Sequence, residues 1–335
     1  MWTALRWRNY RIYLAGQTVS LVGTFMQMVG ISWLVYRLTQ SEIALGLYSF
    51  VTELSSVAVV LFAGVLADRT NQKNILLSTN ILAMLQAFAL SVLVFTSRID
   101  IVIVFAFGCL LGLVNGFDAP ARHALLPNMV ENQSDFRNAI SLYSLALDAA
   151  RLVGPALAGM VIVSWGEGMC FLANGVSYLV VIVSLLSLRL KPRPRLPVHD
   201  DMVRSLAEGI RYVYRRRSIR AVILLVVCVS FGGSTVAVLM PVMAAVVLKG
   251  GPQTLGILLA STSLGALAGA FFLGMKGNTD GLRHTMGAGA CLYGLGIAAF
   301  SQSTWLASSA ALLSVAGFAI MIMMASGNTI LLSEV

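Results

Sequence analysis

The sequence predicts an all-α polytopic membrane protein of about ten spanning helices, on three observations. Hydrophobic residues make up 58% of the chain and charged residues only 11%, a balance that suits helices in lipid and not a soluble domain. Apolar stretches of about twenty residues recur ten times, each long enough to cross a hydrocarbon core about 30 Å thick. Basic residues, finally, gather in alternate connections between those stretches.

The first stretch, 12–36, follows an arm carrying Arg6, Arg8 and Arg11. It is too long for a signal peptide and lacks a small-residue cleavage site, so no cleavable leader is expected. Trp2, Trp7, Tyr10 and Tyr13 beside it suit an interfacial aromatic belt. Stretches at 43–66, 74–96, 99–118, 139–164 and 169–189 complete a first group. The proline-punctuated run 191–197 then cannot continue a helix. Met202, Leu206, Ile210 and Val213 recur at helical spacing within 200–214, which reads as an amphipathic surface helix. Four more stretches follow at 220–247, 254–275, 285–303 and 304–332. The expected organisation is therefore a six-helix bundle over 1–190, a cytoplasmic linker over 191–219, and a partial bundle of four spans over 220–335.

Of the 23 Lys and Arg residues, 19 fall on one side of the membrane in this scheme. Arg37, Arg98 and Lys249 fall on the other, and Arg151 lies within a span. The asymmetry places both ends of the chain in the cytoplasm. The net charge of +9 thus speaks for topology and not for nucleic acid. Cys109, Cys170, Cys228 and Cys291 lie in four different spans without metal-ligand spacing and read as packing residues. No phosphate-binding loop, zinc-protease motif or nucleophile elbow occurs, and His123, His199 and His284 are scattered. Neither an enzyme nor a cofactor or metal site is expected.

Three motifs point to a family. The loop Gly64-Val-Leu-Ala-Asp68-Arg69-Thr-Asn-Gln-Lys73 resembles the signature loop of the major facilitator superfamily. Gly154-Pro155-Ala-Leu-Ala158-Gly159 resembles that superfamily's antiporter motif. Phe117-Asp118-Ala-Pro120-Ala-Arg122-His-Ala-Leu-Leu-Pro127 resembles the 4–5 loop of its drug and siderophore exporters, and the segments beginning at Arg8 and Glu208 resemble the same branch. The resemblance implies a fold of two six-helix bundles, a monomer in the cytoplasmic cell membrane, and export of a small molecule in exchange for protons. It also implies twelve spans where ten are read, so the second bundle is expected to be incomplete. A facilitator or lipid transporter of the same fold, and a transport-incompetent remnant, stand as alternatives.

By the same resemblance, Gly64, Asp68, Arg69 and Lys73 form a conformational latch; the plainer reading of Asp68, Arg69 and Lys73 is as loop charges that set topology. Asn71, where glycine is usual, is expected to keep the turn through a left-handed conformation. Ionisable residues inside spans face a cavity or one another. Asp148 and Arg151 share a helical face with Pro155 and read either as a neutralised pair or as a proton-coupling site. Glu53 has no partner within a helical turn and ranks with Asp148 as a coupling carboxylate. Asp118 comes third, since it can pair with Arg122. Small residues repeat every fourth position at Gly108, Gly112 and Gly116, at Ala150, Gly154 and Ala158, and at Ser261, Gly265 and Gly269. Such repeats open grooves for neighbouring backbones, and the resemblance implies that spans 5 and 8 meet through Gly154, Gly159, Gly265 and Gly269. It also assigns spans 1, 4, 7 and 10 to the cavity, where Gln27, Trp33, Asn115 and Asn328 are the candidates. Met321, Met323 and Met324 read as an adaptable apolar wall or as ordinary packing. The small number of charges there favours amphipathic substrates.

Overall fold

The computed structural model describes residues 3–130, 132–189, 216–276 and 281–334. Among them there is no strand, and ten long helices succeed one another. These are α1 Arg8–Thr39, α2 Glu42–Arg69, α3 Gln72–Phe95, α4 Ile101–Leu125 and α5 Gln133–Trp165. They continue with α6 Glu167–Leu186, α7 Arg217–Val242, α8 Pro252–Lys276, α9 Leu282–Ser301 and α10 Leu306–Glu334. Successive helices reverse direction, so the N-terminus and the α2–α3, α4–α5 and α8–α9 connections share one end, here the terminal end. Among the described residues nine helices are long and apolar enough to cross a membrane. The ninth expected span, α9, falls short because Arg283, His284 and its glycines dilute its apolar character. The amphipathic helix expected at 200–214 lies outside the described residues.

Helix starts are set by local chemistry. The side chain of Ser41 accepts from the backbone of Ala44, Asn71 from that of Lys73, and Asp100 from that of Val102, which satisfies otherwise orphaned amides. Asn71 sits at φ −78°. It is an N-cap in extended conformation, not the left-handed residue expected, because its side chain is bonded to the turn that follows.

In hydrocarbon no water is expelled between helices, so close backbone approach and hydrogen bonds carry association. The α1–α6 seam shows how. A Cβ on Gly16 would lie 2.2 Å from the Ser184 hydroxyl, one on Gly23 2.5 Å from that of Ser177, and one on Gly30 3.0 Å from the Phe171 ring. The glycines recur every seven residues in α1 and meet residues six or seven apart in α6, close to the repeat of a knobs-into-holes contact. On α4, Gly108, Gly112 and Gly116 face Tyr48, Thr52 and Ser56 of α2.

The first six helices and the last four share packing mainly away from the terminal end. Met26, Val29, Ala158 and Ile162 pack with Met240, Ala244, Leu255 and Leu258. Val238 and Val242 of α7, with Ala245 just beyond it, join the cluster around Leu34, Val35 and Leu45. At the terminal end the two sets have separate cores. Tyr10, Tyr13, Leu76, Leu125 and Leu185 belong to one, and Val222, Met286, Met323 and Ile330 to the other. Tyr10 and Tyr13 are therefore interior residues and not part of an aromatic belt, because they point from α1 into the bundle; Trp2 lies outside the described residues. Cys170 is buried and Cys109 half-buried, whereas Cys228 and Cys291 are exposed.

The seam yields a test. Gly23→Val is expected to destabilise the protein by about 1–3 kcal/mol, the usual effect of forcing atoms into a packed contact. Gly46, with nothing within 4 Å of a Cβ, should tolerate alanine or gain up to about 1 kcal/mol. Thermal unfolding in one detergent compares the two variants.

Candidate functional site

Two polar constellations stand out inside the membrane-spanning helices. The first lies near the terminal end and is centred on Arg122 in the last turn of α4. Its guanidinium pairs with Asp118 one turn back and donates to the Tyr143 hydroxyl of α5. It also lies 5.7 Å from the centre of the Tyr143 ring. Asp118 accepts further bonds from Thr79 at 3.1 Å and Asn80 at 3.3 Å, both on α3. Tyr13 of α1 completes the interior wall and accepts from Gln17 at 3.1 Å. A charge pair withdrawn from water is tolerated where its remaining lone pairs are satisfied, and here two residues of α3 do so. Arg122 and Asp118 together therefore brace α3, α4 and α5.

The second constellation sits midway along α5. Arg151 and Asp148 approach to 3.8 Å across one helical turn, an ion pair but longer than a charge-assisted hydrogen bond. The Arg151 guanidinium lies 5.9 Å from the centre of the Phe25 ring on α1. Its backbone carbonyl accepts from Ser263 of α8 at 3.0 Å. One turn further on, α5 and α8 touch through their backbones. A Cβ on Gly256 would lie 2.5 Å from the Pro155 carbonyl oxygen, and one on Gly159 2.9 Å from that of Pro252. Spans 5 and 8 thus meet, but through Pro155, Gly159 and Gly256. Gly154 instead faces Val22 and Phe25 of α1, while Gly265 and Gly269 face Ser314 and Phe318 of α10. The expected α8 groove is correct as a groove and wrong in its partner, since its glycines lie on the side of α8 turned to α10.

The remaining expected site residues are dispersed. Glu53 is exposed on α2 and makes no ion pair among the described residues. Gly64 has nothing within 4 Å of a Cβ, and the side chains of Asp68 and Arg69 lie outside the described part. Lys73 donates to the carbonyls of Leu186 at 3.3 Å and Leu188 at 3.0 Å. It completes the C-terminus of α6, where a cation is favoured by unpaired carbonyls and the helix dipole. Asn115 and Asn328 are exposed, and Trp33 packs beside Tyr36 with ring centres 6.2 Å apart. Gln27 is a correction. It is buried, donating to Gln86 at 3.0 Å and accepting from Asn174 at 2.9 Å, so its amide ties α1, α3 and α6 together instead of lining a cavity.

Sequence reasoning missed Gln86, Asn174, Asn80 and Tyr143. An amide within an apolar span is itself a signal of interhelical bonding, so the first three were available to it. It missed two clasps as well. Trp7 donates to Asp135 at 3.0 Å, and Arg37 donates to Glu167 at 2.8 Å.

Loss of one partner from the Arg122 pair leaves a buried uncompensated charge. Asp118→Asn is expected to cost about 3–5 kcal/mol. Combining it with Arg122→Gln should cost less than the sum of the single changes, with coupling of about 1–3 kcal/mol. A double-mutant cycle of thermal unfolding measures this, and additive losses would contradict the brace.

Comparison with known proteins agrees with this geometry. The model of the transmembrane secretion effector family matches residues 1–333. The staphyloferrin A transporter of Staphylococcus aureus is 22% identical over 264 residues, covering 78% of this chain and 66% of the relative. The multidrug efflux pump Tap of Mycolicibacterium fortuitum is 24% identical, covering 79% and 66%. Macrolide efflux protein A of Streptococcus pyogenes is 22% identical, covering 79% and 65%. The chain thus spans about two thirds of the length of these relatives. Among solved structures, a bacterial homologue of the lysosomal transporter Spinster, inward-facing and occupied, superposes with TM-score 0.73 at 15% identity, covering 96% of this chain and 74% of that one. The nucleoside transporter NupG gives 0.68 at 14% identity, covering 98% and 83%. With the signature motifs in place, the helices arranged as in these transporters and the family model matched along nearly its whole length, this chain belongs to the transmembrane secretion effectors of the major facilitator superfamily.

Proposed function

We propose that the protein is a secondary active exporter that moves an amphipathic small molecule out of the cytoplasm by proton antiport and alternating access. The observation that carries this reading is the distribution of contacts between α1–α6 and α7–α10. They gather at the end away from the N-terminus, and the terminal end has two separate cores. With the basic connections cytoplasmic, the gap between the two sets opens to the cytoplasm, the state in which an exporter loads. The reading takes 1–190 and 220–335 as the two moving bundles, 191–219 as their linker, and the chain as a monomer.

The α5–α8 contact is the natural pivot, because apposed glycines let backbones slide with little interdigitation to break. Just inside it, Asp148 is a carboxylate within a span, held by Arg151 at a distance that leaves room for protonation or exchange. Neutralising Asp148 would free Arg151, which couples a proton to the surroundings of the pivot. Glu53, exposed and without an ion-pair partner among the described residues, is the second coupling candidate. Asp118 is assigned to bracing, since Arg122, Thr79 and Asn80 already occupy it. Lys73, by holding the end of α6, keeps the signature loop attached to the first bundle. Similarity to a macrolide efflux protein and a multidrug efflux pump supports an outward direction and an amphipathic cargo.

Inside-out vesicles with an acidified lumen and an entrapped pH-sensitive dye test this reading. Macrolides, lipophilic cations and siderophores are added in turn. The expected result is proton release triggered by at least one compound, reduced about tenfold or more in Asp148→Asn or Glu53→Gln. Compound movement without a pH response would identify a facilitator instead, and no response to any compound in correctly inserted protein would overturn the proposal.

A further inference from the structure

The charge of Arg151 has an unusual setting for a membrane span. Counting about 100° per residue around α5, Ser144, Asp148, Arg151, Pro155 and Gly159 lie along one side. Pro155 and Gly159 are buried on that side against α8, whereas Arg151, Ser144 and the adjoining Leu145 are exposed. Arg151 therefore sits where the α5–α8 contact ends and the gap toward the terminal end begins. Val153, Leu157 and Met160, which lie about 120–180° round the helix from it, are apolar exposed residues at this level. The guanidinium is thus turned away from that apolar side and toward the gap between α1 and α8.

Its partners leave much of it unused. The side chain is 54% exposed, and its one carboxylate neighbour lies 3.8 Å away. A guanidinium offers five N–H donors in a flat fork that matches a carboxylate. Phe25 lies against it and supplies an aromatic surface beside the charge. From α1 the neighbour is this ring and from α8 it is Ser263, bonded to the Arg151 backbone carbonyl, so among the described residues the charged group paired with Arg151 is Asp148 alone.

Building on the exporter reading and deepening it, we infer that Arg151 is a substrate-binding residue that takes the carboxylate of an amphipathic anion in place of Asp148, with Phe25 against the apolar part of the ligand. Cargo and Asp148 then compete for one guanidinium. The site selects anionic over neutral or cationic amphipaths.

Binding can be read without transport. The protein in phosphatidylcholine nanodiscs is titrated with pyrenebutyrate, pyrenebutyramide and pyrenebutylammonium, following pyrene fluorescence against empty discs. The carboxylate is expected to bind about tenfold or more tightly than the amide, as a charge-assisted bond requires, and the ammonium weakest. Arg151→Gln should abolish that preference, Arg151→Lys should keep part of it, and Asp148→Asn should tighten carboxylate binding several-fold. Equal affinities in the unaltered protein, or a preference that survives Arg151→Gln, would overturn the inference. If Arg151→Gln does not elute as monodisperse protein, Asp148→Asn decides, because unchanged carboxylate affinity there refutes the competition. Carboxylate preference without proton-coupled transport would uphold this site while removing the antiporter, and proton-coupled transport without the preference would do the reverse.

Discussion

The arrangement depends on how closely α5 and α8 approach. Their backbones meet at Pro155, Gly159 and Gly256, where even a methyl group would fall within 3 Å of a carbonyl oxygen. Between helices in lipid such closeness stands in for the hydrophobic effect, because dispersion and weak polar contacts act only at short range. It also leaves few side chains interlocked across the boundary. Most other packing between α1–α6 and α7–α10 lies on the same side of this crossing, toward the α7–α8 connection. Beyond this crossing the two sets of helices keep separate cores, and Arg151, one turn from it, is exposed.

Within α1–α6 the constraint is different. Polar side chains in hydrocarbon must find partners, and they do so across helices more than within them. Gln27 and Asn174 link α1 to α6, and Gln27 and Gln86 link α1 to α3. Asp118 and Arg122 link α4 to α3 and α5. These bonds brace α1, α3, α4, α5 and α6 against one another, unlike the smooth glycine contact between α5 and α8. A rocking mechanism needs that contrast, with stiffness inside each body and a smooth surface between them.

The two intramembrane charge pairs illustrate how setting decides role. Asp118–Arg122 is enclosed, bonded on several sides and spans three helices, so it acts as a fastening. Asp148–Arg151 is looser, half-exposed and confined to one helix turn. Both have the same chemistry and nearly the same spacing in sequence. Only the neighbours differ, namely Thr79, Asn80 and Tyr143 bonded to one pair, and the Phe25 ring beside a half-exposed guanidinium at the other.

The spans, their order, the positions of their breaks and the alternation of basic connections were all legible in the sequence, because a bilayer imposes length, apolarity and charge asymmetry on each segment separately. The family motifs were legible for the same local reason. The partner of each small-residue face was not. A glycine every fourth residue requires some backbone nearby without naming it, so Gly265 and Gly269 turned to α10 and the α5 contact fell to Gly256. Likewise Gln27 and Tyr13 read as cavity or belt residues in one dimension, and only the packing of α1 into the bundle made them interior. The sequence by itself determined what must lie in the membrane and where the charges within it stand along the chain. The tertiary structure alone decided which charges are enclosed and which face an opening, because exposure is a property of neighbouring helices and not of the helix that bears the residue.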